Sequence, residues 1–371
     1  MIPVFEPSIG KEELQNVQDC IKSNWISSSG KYIELFEKDF AKFHKSKNAI
    51  ALSNGTAALE VALHAIGIKK GDEVIIPSFT IISVAAAVIK LGAIPRFADV
   101  ELGNWNIDPA YIKSLINKKT KAIIVVHSFG HPASMEEIIE ISRNNNLLIV
   151  EDTAESLGSK YKDSLCGTFG DIATFSLYAN KLITTGEGGM IITDNNNYAL
   201  KARKYINLYF GDDERFSHSD LGFNYRMTNI QASIGCAQIK KINFFAKEKI
   251  RIGNLYKSKL ENSKNFTFQN SSNDIHHIFW MYALIINDSC KFSGYEFVQL
   301  LKKRGIDSRQ LFKGLHLQEP LKKYLLKDQK PLKVTEHLYN KGFYLPSSIN
   351  LTDGQIDYII SNIESIASWK K

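Results

Sequence analysis

From Ser53 onward the chain alternates between two hydrophobic periods. In SNGTAALEVALHAIG the apolar residues Leu59, Ala62, Leu63 and Ile66 fall at i, i+3, i+4 and i+7, which predicts a helix with Gly67 as its stop. EVIIP then reads as a short strand, ISVAAAVIKLG as a helix and AIPRFADV as a strand. Asp108 and Pro109 open a helix in NIDPAYIKSLIN, since proline at the first helical position gives up only an N–H the helix does not use. KAIIVV is a buried strand, SMEEIIEISRNN a helix with Ser134 and Glu137 in capping-box spacing, and LLIVED a strand ending in two carboxylates. This order predicts an α/β fold with a mainly parallel sheet covered by helices on both faces. Ligands of such sheets gather at the carboxyl ends of the strands, where His127, Asp152 and the turn Ser53 to Thr56 fall.

After about Phe245 the apolar runs become fewer and shorter and Lys and Asn increase. HIFWMYALII reads as one strand, YEFVQLLKKRG as a helix, and Thr352 and Gln355 open a last helix, together a smaller α+β unit. The expected division is 1–245 and 246–371, inside a helix that begins at Thr228 and continues toward Lys249. The adjacent His276 and His277 would face opposite ways along a strand, and no HExxH is present, so no metal site is expected.

Composition narrows the function classes. At 371 residues the chain has room for about two domains. The charge of +7, from 46 Lys and Arg against 39 Asp and Glu, is spread without a basic block, so nucleic acid is not an expected partner. A mild attraction for an anionic substrate is compatible with it. Cys20, Cys166, Cys236 and Cys290 form no CxxC pair, which fits a reducing cytoplasm. The start MIPVFEPSIGKEEL lacks a basic and apolar leader, and no run approaches the ~18 apolar residues of a membrane span, so a protein neither exported nor embedded in a membrane is expected.

Three features carry candidate chemistry. SNGT is a glycine turn at a helix N-terminus, either an ordinary cap or a place where free N–H groups meet a phosphate. Asp152 is either a solvated strand end or a buried carboxylate of the kind that keeps a pyridine nitrogen protonated. Lys181 follows the strand ATFSLY, and a lysine there is either a surface charge or a desolvated amine able to form a Schiff base. Neighbouring strands could bring Asp152 and Lys181 to two sides of one ring.

Taken in order, SNGTAAL, EDTAESLGSKY, GTFGDIATFSLYANKLITTGEGGMIIT and GFNYRMTNIQASIGCAQI resemble the successive signatures of the sugar aminotransferase family that depends on pyridoxal phosphate, of fold type I. The resemblance spans essentially the whole chain, and WISSSGKYIELFE, GHP and NK before ITTGEGGM are similar to the GDP-perosamine synthase subgroup. It implies a large mixed sheet with a smaller C-terminal domain, pyridoxal 5'-phosphate as cofactor and pyridoxamine phosphate as its amine-carrying form. Lys181 then holds the cofactor covalently and shuttles the proton, and Asp152 keeps the ring nitrogen protonated. Glu155 lies near the ring hydroxyl, Ala154 beneath the ring, and Gly55, Thr56 and Ser176 at the phosphate. Asn224 reaches the phosphate of a neighbouring subunit, which implies a homodimer with shared sites. Trp25 and Ser27 lie where the family's N-terminal segment approaches substrate, Trp25 being either a contact or a packing residue, and Arg309 and His316 match positions near the nucleotide; Arg226 is either a surface charge or a sugar-nucleotide contact, and His127 either a buried strand-end histidine or an active-site group.

The chain departs from the family pattern at Ile81, where an aromatic ring commonly covers the cofactor, at Ala179, and in SRQLFKGLH. The implied reaction moves an amino group from L-glutamate to a nucleotide-linked 4-keto-6-deoxy sugar, GDP-4-keto-6-deoxymannose giving GDP-perosamine, for O-antigen lipopolysaccharide or capsule. The rivals are a UDP- or dTDP-linked keto sugar and a non-catalytic cofactor-binding regulator. Lys181 speaks against dehydration, for which the family's relatives carry histidine.

Overall fold

The computed structural model describes residues 1–369 apart from 212, 213, 215, 271 and 328. Helices α1 (Lys11–Ser23) and α2 (Lys31–His44) precede β1 (Asn48–Leu52) and α3 (Gly55–Ala65). Then follow β2 (Glu73–Pro77), α4 (Ser83–Lys90), β3 (Ile94–Ala98), α5 (Pro109–Leu115), β4 (Thr120–Val126), α6 (Met135–Asn145) and β5 (Leu148–Asp152). A small hairpin, β6 (Lys160–Tyr161) and β7 (Ser164–Leu165), leads to β8 (Ile172–Ser176), β9 (Gly189–Thr193) and α7 (Asn196–Ile206).

Seven of these strands form one sheet in the order β1-β9-β8-β5-β4-β2-β3. Only β9 opposes its neighbours, so the other six strands end on one edge. Fold type I is thus realised, and the residues after β1, β2, β4, β5 and β8 share that edge. Helix α3 departs from the one-sided stripe read from its sequence: Ala57, Ala58, Val61 and Ala65 are buried along with Leu59, Ala62 and Leu63. It lies between the sheet and helices α4 and α7, with no wet side for a polar face. Gly67, at φ +90, takes the left-handed turn that ends it, donating to the His64 carbonyl.

The helix expected from Thr228 toward Lys249 is two, α8 (Asn229–Lys240) and α9 (Ile242–Leu260), broken at Lys241. Ser134 caps no N–H of α6; its hydroxyl turns to Glu101 at 3.2 Å, so the expected capping box is not made. The remaining elements are β10 (Phe266–Thr267), β11 (Ile275–His276), β12 (Tyr282–Ile286), α10 (Gly294–Lys303), β13 (Arg309–Gln310), α11 (Lys333–Lys341), β14 (Gly342–Leu345) and α12 (Asp353–Ala367). Strands β10, β12, β14 and β13 make a second, antiparallel sheet.

The single strand expected over HIFWMYALII is interrupted. Phe279 adopts φ +50, and the stretch before β12 wraps the 129–130 turn: Trp280 N–H donates to the Phe129 carbonyl at 3.1 Å and the His277 ring bonds it at 2.9 Å. This departure carries Trp280 to the edge where Lys181 lies.

Candidate active site

The turn after β1 is built around Asn54, whose side chain accepts from Ala57 N–H at 2.8 Å and caps α3. Gly55 opens that helix beside the end of β8; a Cβ on Gly55 would stand 3.0 Å from Ser176 Cβ and 3.3 Å from its hydroxyl. Gly189, the first residue of β9, runs directly under the turn, and a Cβ there would meet the Asn54 carbonyl at 2.4 Å. Gly189 thus reflects close backbone approach, whereas Gly186, at φ +82, serves a left-handed turn with open space around it. Gly55, half-buried, and Thr56, exposed, leave their helix-end N–H groups beside Ser176, which is half-buried. The Thr56 hydroxyl bonds Ser83 at 3.0 Å.

Asp152 and Glu155 are both buried. Asp152 accepts from Ala154 N–H at 3.1 Å, and Glu155 from Phe129 N–H at 2.7 Å. Burial raises the Asp152 carboxyl above its ordinary range, against the pull of the Ala154 N–H, Lys181 and His127. Glu155 is pushed up to about 7 by burial, opposed chiefly by Lys181. The Lys181 amine is pulled below its ordinary value by burial, while Glu155 and Asp152 favour its charge. Its Nζ lies 3.7 Å from the centre of the Trp280 indole, and that indole N–H donates to the Asn180 carbonyl at 2.8 Å. An amine and two carboxylates, each displaced toward its neutral form, thus lie at one sheet edge with a helix N-terminus. That set can hold an anion, a cationic ring and a covalent carbonyl partner.

The other expected contacts fall differently. His127 has no exposed surface: its Nε2 meets Glu151 at 3.0 Å and its Nδ1 accepts from Ala133 N–H at 3.0 Å, on the face away from Asp152. Glu151 also accepts from Gly167, Phe169 and Gly170 N–H. His127 is therefore not brought to the cleft as a substrate contact. His316 is likewise taken up, bonding Ser78 through Nδ1 at 2.7 Å and Glu336 through Nε2 at 3.2 Å. Arg309 pairs with Asp307 and is partly exposed. Arg226 donates to Asn224 at 2.9 Å; Asn224 is exposed, as are Trp25, Ser27 and Ile81. Ala154 is half-buried beside Asp152.

One residue missed by sequence reading is Asn229. Nearly fully buried, it donates to the Trp25 carbonyl at 2.7 Å and accepts from Tyr32 N–H at 3.0 Å, while its own N–H meets the Ser27 carbonyl at 2.6 Å. Gly30, at φ +138, leaves no room for a Cβ against it. A single residue, through its side-chain amide and its main-chain N–H, thus shapes the WISSSGK loop, and no local spacing reveals it.

A model of the DegT/DnrJ/EryC1/StrS aminotransferase family matches residues 7–364. The chain belongs to this family. As a DegT/DnrJ/EryC1/StrS aminotransferase it is a sugar aminotransferase that depends on pyridoxal phosphate. Among curated relatives it is 38% identical to the GDP-perosamine synthase of Escherichia coli O157:H7, covering 100% of this chain and 99% of that protein. The GDP-perosamine synthase of Caulobacter vibrioides is 38% identical over 98% of each, and that of Vibrio cholerae 35% identical over 98% of this chain and 99% of its own. Among solved structures, the aminotransferase from Psychrobacter cryohalolentis superposes with a TM-score of 0.91 at 28% identity, covering 97% of this chain and 98% of that one.

Proposed function

We propose that the chain moves an amino group from L-glutamate to the keto carbon of GDP-4-keto-6-deoxy-D-mannose, giving GDP-perosamine for O-antigen or capsule synthesis in the cytoplasm. What carries the reading is the agreement of three relatives named GDP-perosamine synthase at 35–38% identity over nearly the full chain. The amine-bearing Lys181 in the cleft supports transfer over a merely regulatory role.

The cleft fits pyridoxal phosphate. Gly55 leaves the space beside Ser176 that a Cβ would fill, and a phosphate there would meet Gly55 and Thr56 N–H groups and the Ser176 hydroxyl. Asp152, raised by burial while it has only a weak cationic neighbour, is the group that a buried pyridinium would ionise. When bound, the cofactor supplies a carbonyl for the amine and an electron sink for the carbanion. Lys181, its amine drawn toward the neutral form by burial, would anchor the cofactor covalently and, once freed, would carry the proton between substrate and cofactor carbons. Glu155, fixed by Phe129 N–H, presents a carboxyl that holds or accepts a proton near neutral pH. Ile81 would cover the cofactor ring and Ala154 would leave space beneath it. Asn224, exposed on its own chain, serves the phosphate of a second copy, so the working unit is a homodimer. Trp25, Ser27, Arg226 and Arg309 are the remaining candidates for the nucleotide sugar.

The test is a panel of GDP-, UDP- and dTDP-linked 4-keto-6-deoxy sugars with L-glutamate, followed by 2-oxoglutarate release and product mass. Turnover of the GDP sugar at least tenfold above the others supports the proposal. Preference for a UDP or dTDP sugar overturns the substrate, and no turnover of any overturns the reaction.

A further inference from the structure

Lys249 is a lysine in the wrong place for a surface charge. It lies on α9, about 1% exposed, and none of the described carboxylates pairs with it. Its Nζ donates instead to two main-chain carbonyls, Trp280 at 2.5 Å and Ser347 at 2.7 Å. Phe5 packs on the amine at 5.6 Å, and Lys249 and Lys181 line one small internal cavity with Glu6, Ser8 and Gln238.

The two carbonyls belong to strategic segments. Ser347 N–H donates to the Val4 carbonyl and its hydroxyl accepts from Tyr282 N–H, so this turn ties the N-terminal segment to β12. Trp280 is the residue whose indole lies against the Lys181 amine and bonds the main chain of Asn180. Its own N–H is spent on Phe129, the residue whose N–H holds Glu155. The Trp280 carbonyl is the one remaining main-chain handle, and Lys249 holds it.

We propose that Lys249 is a positioning residue for Lys181, acting through Trp280. By fixing the Trp280 main chain it keeps the indole against the reactive amine and keeps water from that side. Removing the amine leaves two buried carbonyls short of a donor, which favours a shift of the Trp280 segment toward water. The arrangement does not depend on a full charge: burial pulls Lys249 down to about 7, and a neutral amine still has two N–H groups for two acceptors. A methionine would fill similar space and donate nothing.

The test reads the amine of Lys181 without requiring turnover. The full chain, freed of cofactor, is labelled with acetic anhydride across pH, and modification of Lys181 is followed by peptide mass analysis. Desolvation is the largest cause lowering the Lys181 pKa, so admitting water should outweigh a loosened cation–π contact. Lys249→Met is expected to raise the labelling midpoint of Lys181 by about half a pH unit or more, roughly a threefold fall in its neutral fraction. Lys249→Arg, which retains donors, should lie closer to the parent. In a Trp280→Ala background, Lys249→Met should add little, because the ring through which it acts is gone. An unchanged midpoint in Lys249→Met, or an equal shift in both backgrounds, overturns the proposal. Should Lys249→Met not fold, Lys249→Leu, which also donates nothing, carries the same readout, with the same two outcomes. Neither result bears on which sugar is the substrate.

Discussion

Replacing Glu155 by glutamine should flatten a pH dependence built into the cleft of the cofactor-free chain. The carboxyl is 7% exposed and pushed from an ordinary 4.5 up to about 7. The folded chain therefore binds this proton more tightly than the unfolded chain, and between about 4.5 and about 7 it holds more of it. Stability contributed by the group is complete below 4.5, declines as pH rises through that window, and is level above it. At about 1.4 kcal/mol per pH unit the full cost is about 3.5 kcal/mol. Glutamine has no proton to lose and offers the same carbonyl to Phe129 N–H, now at 2.7 Å from the carboxylate. Its amide group can carry a cost of its own for any unmet hydrogen bond, but that cost is independent of pH. The informative quantity is thus a difference of differences: urea unfolding of the cofactor-free chain at pH 5 and pH 8, parent against Glu155→Gln. The variant is expected to gain on the parent by about 2–3 kcal/mol between those two pH values. Parallel stability curves would refute the reasoning and show that Glu155 is ionised without penalty, with Lys181 neutralising it fully.

Lys181→Ala should abolish transamination with the fold intact, checked by glutamate-dependent 2-oxoglutarate release beside an unchanged circular dichroism spectrum. Asp152→Asn should lower the rate by at least tenfold, because a neutral amide stabilises a protonated pyridine far less than a carboxylate; wild-type rates would exclude that role. Asn229→Ala should cost about 1–3 kcal/mol, since it strips buried partners from the Trp25 carbonyl and Tyr32 N–H, and limited proteolysis should cut first within residues 24–31. Ile81→Phe should slow loss of pyridoxamine phosphate after glutamate alone by up to about tenfold, given ~0.5–1.5 kcal/mol for a ring stacked on a ring; equal or faster loss would mean that Ile81 does not cover the cofactor.

The parts of the fold that were legible in the sequence are those set by local forces. The helix after Ser53, its stop at Gly67 and the strands ending at Val126, Asp152 and Ser176 follow from periodicity and glycine conformation, and they place the cleft on the right edge. What periodicity cannot report is which face a strand-end residue takes. His127 sits at that edge, yet its ring turns to the buried Glu151. Nor can it report partners distant in the chain. The break in HIFWMYALII is imposed by Phe129, and Lys249 finds its acceptors 31 and 98 residues away, so both are invisible to any window of ten residues.

Helix α3 is enclosed on every side, and this has a bearing on how the protein acquires its cofactor. A helix free on one flank can slide or fray to meet a ligand, whereas α3 is pinned by the sheet, by α4 and α7, and by the glycine strand start beneath its first turn. Under the proposed role its anion-binding end is therefore a rigid receptacle, organised during folding and before any cofactor arrives. Loading then orders little of the chain, so its gain in stability comes from mass action alone and grows with the logarithm of cofactor concentration. Empty protein emerging from synthesis would be a folded reservoir awaiting activation, with no need of cofactor as a template.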